Sequence, residues 1–178
     1  MTLAPRPAVT SAALLLLAVP LLAGCAQSVG VAVAPYATDP DCARVVLTVP
    51  ESLGDGLAEH RTTSQATAAW GDPADPVTLR CGVEVPGPTT EQCVTVETAS
   101  GTTIDWLVRA DAEPADGAGD DPDLALDPGS SDWTFVTYGR DPAVEVHVPA
   151  SVVAERSTSF LDALSPAIAQ VEATRSCL

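Results

Sequence analysis

Four cysteines, Cys42, Cys81, Cys93 and Cys177, carry the most reactive side chains in the body of the chain. Thiols serve as metal ligands, redox couples or structural bridges, and spacing helps to separate these uses. None of the four has the close C-x-x-C spacing of a zinc ribbon or a thioredoxin-like pair, so two structural disulfides are the expectation. More than one connectivity satisfies that expectation, and the spacing leaves the choice open. Arg80 and Arg140 are the candidate ligand-binding residues: a strand-borne guanidinium amid much negative charge can grip a carboxylate or phosphate in a planar fork, or simply pair with a neighbouring Glu or Asp. The histidines are His60 and His147, and neither stands in a Gly-x-Ser-x-Gly or His-Glu-x-x-His motif. His147 reads as a surface residue on a strand. Paired carboxylates can act as general acid and base, but among 24 acidic residues some lie close by chance and the pattern selects none. No catalytic residue, metal site or cofactor is predicted.

A fifth cysteine has a different setting. The first 24 residues contain one charge, Arg6, and an apolar run over residues 12–23 that includes Leu14-Leu15-Leu16-Leu17. A bilayer-spanning helix needs about 20 consecutive apolar residues, whereas this run is shorter and carries Pro20. It reads as a signal peptide. Its end, Leu22-Ala23-Gly24-Cys25, resembles a lipobox, in which small residues admit the peptidase and the cysteine thiol takes a diacylglyceryl group. A single acyl chain binds membranes only marginally, so several chains on one cysteine, palmitate among them, make anchoring durable. The expected location is the extracytoplasmic face of the cell membrane, with the lipid on Cys25 as the membrane partner.

Cleavage before Cys25 removes 24 of 178 residues and, with Arg6, takes the formal charge from −16 to −17. The remainder suffices for one domain with a sizeable core. So acidic a surface repels phosphate backbones and anionic head groups, which argues against nucleic-acid binding and against a basic membrane-docking face. Solubility alone also accounts for such a charge. Residues 25–40 read as a flexible tether, residues 41–178 as the domain, and residues 110–128 as a mobile acidic loop, since Asp111, Glu113, Asp116, Asp120, Asp121, Asp123 and Asp127 sit among Gly, Ala and Pro. Calcium would want such oxygens, but the spacing departs from the Asp-x-Asp-x-Asp-Gly loop.

The elements that must position these residues are mostly strands. Asp39-Pro40-Asp41 opens a short helix through Val45 or Leu47, with Asp as cap and Pro in the first turn. Val77, Leu79, Cys81, Val83 and Val85 alternate with polar residues, the pattern of a half-buried strand. Pro86-Gly87-Pro88 turns the chain into a partner strand from Cys93, and a third follows from Thr103, as in a meander. Residues 132–139 and 143–148 supply two more. Ser157 or Ser159 caps a helix whose Phe160, Leu161, Leu164, Ile168 and Val171 form an apolar stripe, with Pro166 as a kink. The fold class is α+β: an antiparallel sheet of about five or six strands backed by the C-terminal helix, with a short N-terminal helix. Trp70, Trp106 and Trp133 are expected mainly in the core, an aromatic ligand groove being the other use.

Ala68-Ala69-Trp70-Gly71-Asp72-Pro73, Leu79-Arg80-Cys81-Gly82-Val83, Ile104-Asp105-Trp106 and Thr137-Tyr138-Gly139-Arg140, leading into Val144-Glu145-Val146-His147-Val148-Pro149, resemble the actinobacterial domain-of-unknown-function family numbered 3515. The likeness covers most of residues 41–171. It implies small exported or membrane-attached proteins and supplies no catalytic residues. It also implies the pairing Cys42–Cys81, with Cys93–Cys177 as the second bridge, and places the acidic stretch where the family varies.

The expected function is that of a cell-envelope lipoprotein, a non-catalytic binding or protein-interaction module working with an envelope protein or a cell-wall component. An envelope enzyme using carboxylates and a structural accessory subunit are the alternative classes. A concave pocket with perturbed carboxylates favours the enzyme; a large exposed apolar patch favours a protein partner.

Overall fold

The computed structural model describes residues 28–54, 56–98, 101–111 and 131–178. The segment read as a signal peptide, Cys25 and most of the acidic stretch therefore lie outside the described residues. Seven strands form one antiparallel sheet: β1 (Glu59–His60), β2 (Thr67–Trp70), β3 (Val77–Val83), β4 (Cys93–Glu97), β5 (Thr103–Ala110), β6 (Trp133–Thr137) and β7 (Ala143–Val148), in the order β1-β2-β3-β7-β6-β5-β4. Seven replaces the expected five or six because β1 is too short to show a period and β2 is buried at all four residues, which erases alternation. The expected meander is also corrected. β3 pairs with β7, not β4, because the alternating valines of β7 are wholly buried in the middle of the sheet while β4 is largely exposed at its edge.

One face carries the main core. Leu79, Trp106, Phe135, Val144 and Val146 project onto it, and helices cover it. In α1 (Pro40–Val46) the Asp39 carboxylate accepts from the Asp41 amide at 2.8 Å, Pro40 occupies the first turn, and Cys42 and Val45, three positions apart, face the sheet. After β7, α2 (Ala150–Glu155) precedes a 3-10 helix, Thr158–Leu164, which the sequence reading missed as separate pieces, and then α3 (Ser165–Ile168). The single C-terminal helix is thus broken. Pro166 has no amide to donate and its ring clashes with the carbonyl four residues back, so the chain winds more tightly before it and restarts with Pro166 in the first turn of α3. The stripe still works, since Leu161, Leu164, Ile168 and Val171 are all buried.

The second face departs from the expectation of a wet surface and a free tether. Val29, Val31, Ala34 and Ala37, placed in the tether by sequence, are buried against it. The Val29 amide donates to the Arg61 carbonyl at 2.8 Å, and the Tyr36 amide to that of Gly82 at 2.8 Å. Small and β-branched side chains let this extended strip lie flat. At Gly82 the register of β3 against β7 shifts, which turns Val83 to the second face beside Ala34, Ala37, Val136 and Ala143. The alternation read through Val85 therefore ends at Cys81.

Candidate functional site

Disulfides join Cys42 to Cys81 and Cys93 to Cys177. The first staples α1 to β3 within the core, both residues being fully buried. The second fastens the C-terminus to β4, helped by Asp105, whose carboxylate accepts from the Cys177 amide at 2.8 Å and from the Thr95 hydroxyl at 2.6 Å.

The two candidate ligand arginines are both committed inside the protein. Arg80 on β3 stands opposite Glu145 on β7, with Nε and Oε1 2.5 Å apart, and this hydrogen bond raises the guanidinium pKa further. It borders a small polar cleft of about 370 Å³ with Thr78, Thr134 and His147. Arg140 is corrected more strongly. It lies outside the strands, in the connection from β6 to β7, where it bridges to Ala173 and is buried, its guanidinium donating to the Val171 carbonyl and, at 3.0 Å, to that of Thr103. Burial lowers its pKa, opposed by the charge of Asp105. Arg140 holds the C-terminal segment against β5, a role with no sequence signal because its partners are backbone carbonyls far along the chain.

His147 lies between two carboxylates, Nδ1 at 3.3 Å from Asp111 and Nε2 at 3.6 Å from Asp132. Asp111 begins the acidic stretch and Asp132 follows it, so His147 stands between its two ends. His60 Nε2 sits 2.6 Å from the Gly71 carbonyl, which fixes that nitrogen as the donor. Among the described residues no group of three or more His, Cys, Asp or Glu side chains is placed to hold a metal ion. Nor is any helix among them long and apolar enough to cross a membrane.

The tryptophans divide between the two uses foreseen for them. Trp70 is buried with its indole N–H on the Pro50 carbonyl at 2.9 Å, and Trp106 packs edge-on to Phe135 with ring centroids 6.2 Å apart. Trp133, at the start of β6, is half-buried and, together with Trp106, lines a groove of about 990 Å³. The groove floor is the core face of β4, β5 and β6, where Val94, Val96, Val108 and Phe135 extend past the helical cover. Its wall is residues 153–162, from which Val153 and Leu161 add apolar surface and Glu155, Arg156, Ser157 and Asp162 a polar rim. An apolar trough edged by hydrogen-bonding groups can bury a hydrophobic ligand while fixing its orientation. The sequence pointed to a ligand groove only through its tryptophans and missed the valine floor, which is patterned like ordinary core.

The family model described as protein of unknown function (DUF3515) matches residues 8–177 of the chain. No curated protein and no solved structure matches it.

Proposed function

Since the chain belongs to the DUF3515 family, we propose that it is a cell-envelope lipoprotein, anchored through lipid on Cys25 at the extracytoplasmic face, whose domain is a non-catalytic binding module. The groove over β4, β5 and β6 carries this reading: its floor is apolar and open, in a protein that otherwise covers the same face with helices. Support for the location comes from the apolar leader ending at Leu22-Ala23-Gly24-Cys25 and from two disulfides, which persist outside the cytoplasm. The partner is an envelope protein or cell-wall component that presents apolar groups.

Two measurements test the proposal. Intact mass of the protein from the membrane fraction of its native host fits residues 25–178 plus acyl groups; an unlipidated or uncleaved mass sinks the anchoring. Nile red gains fluorescence in the groove to saturation, and Val108→Glu and Val94→Glu each abolish the gain. Equal fluorescence from both variants and the parent rules the groove out.

A further inference from the structure

We propose that β4 is a docking edge, where an extended segment of a partner protein, apolar at alternate positions and basic at its ends, adds to the sheet as a further strand and sends apolar side chains into the groove. This rests on the groove reading above and specifies its occupant. β4 ends the strand order and, among the described residues, pairs with β5 alone. The Val108 amide donates to the Gln92 carbonyl at 2.9 Å, so by antiparallel alternation the backbone groups of Val94 and Val96 turn towards β5 and those of Cys93, Thr95 and Glu97 turn outward.

Native sheets blunt such edges with lysine, proline, a bulge or extreme shortness. The other edge, β1, has two residues. β4 has five, Cys-Val-Thr-Val-Glu, in unbroken register with β5 and with Glu97 as its sole charge. The edge is therefore a usable template, and a row of outward amides and carbonyls is matched by polypeptide, not by an acyl chain. A strand added there places every second side chain on the face of Val94 and Val96, opposite Val153 and Leu161. Charge sets the ends: Glu155 and Asp162 edge the groove against Arg156, and Glu97 closes the edge strand itself, in a chain of net charge −16.

The test uses the isotopically labelled full chain and a synthetic peptide alternating valine and threonine between terminal lysines. Binding slows hydrogen exchange at the Thr95 amide. Methylating the peptide amides on one edge weakens binding about tenfold or more, while methylating those on the other edge does not. The proposal is overturned if the peptide binds without protecting Thr95 or if both methylated peptides bind alike. It is overturned too if Thr95 becomes protected in the chain alone as protein concentration rises, which would make a second copy the occupant. Nile red binding without peptide binding removes strand addition and leaves the groove; loss of both removes the groove reading as well.

Discussion

Tyr36 and Gly82 meet backbone to backbone: the Tyr36 amide donates to the Gly82 carbonyl at 2.8 Å, and a Cβ built on Gly82 would fall 2.4 Å from the Tyr36 carbonyl carbon. Gly82 also has φ +90°, a conformation that side chains resist. Gly82→Ala must therefore push the N-terminal strip off the sheet or distort the bulge. A loss of about 2–3 kcal/mol is expected, read from the urea unfolding midpoint, together with faster hydrogen exchange at the amides of Val29 and Tyr36. An unchanged midpoint would mean that residues 28–37 add nothing to the fold.

Arg140 and Arg80 should respond differently to the same change. Arg140→Met leaves the buried Val171 carbonyl and the part-buried Thr103 carbonyl without their donor and is expected to destabilise by about 2–3 kcal/mol. Arg80→Met breaks a partly exposed pair with Glu145 and is expected to cost under about 1 kcal/mol. Denaturant titration of both variants decides; equal losses would contradict the separate roles described for them.

Reduction should proceed in order. Cys93 is half-buried near the sheet edge, whereas Cys42 and Cys81 are sealed in the core. Thiol trapping under rising reductant, read by peptide mass, should label Cys93 and Cys177 before Cys42 and Cys81. In the chain-entropy model, bridges of separation 39 and 84 stabilise by roughly 4 kcal/mol or slightly more each, so Cys177→Ser should lower the unfolding midpoint without abolishing the fold. Labelling of Cys42 first would show the core to open before the edge.

Glu59 on β1 has its pKa raised, first by loss of hydration and then by the charge of Glu51. The folded state thus holds this proton more tightly than the unfolded chain, and stability declines as pH rises through the ordinary glutamate range and stays reduced above it. Glu59→Gln is expected to raise the thermal midpoint at neutral pH and to leave it unchanged near about pH 3, where both states are protonated. A gain of equal size at both pH values would assign the effect to something other than ionisation.

What the sequence disclosed was local. The cap at Asp39, the proline behind it and the alternation of β7 depend on neighbours within a few residues, and all three stand in the structure. What it hid was set by distant partners. β2 lies buried on both faces because residues 28–37 cover the side that β1, β2 and β3 would otherwise expose, which removes the polar half of its pattern. Arg140 reads from sequence as a strand-borne fork or an ion-pair partner, since nothing near it in the chain reveals that Val171 and Thr103 supply its acceptors. The groove was hidden for a related reason: Val94, Val96 and Val108 are patterned like core, and only the early end of the helical cover leaves them open.

The position of β7 dictates how the molecule can assemble. Strands β1 to β3 can zip to one another as soon as they are made, and so can β4 to β6, because each set joins sequence neighbours. The two sets share no ladder until β7 slides between β3 and β6, pairing Thr78 with His147 across 69 positions of chain. Synthesis runs from the N-terminus, so two half-sheets wait with open flanks for the keystone strand, and closing that long loop slows the final step. A nascent chain stopped before Ala143 would keep both flanks bare, and such bare flanks invite pairing with other chains.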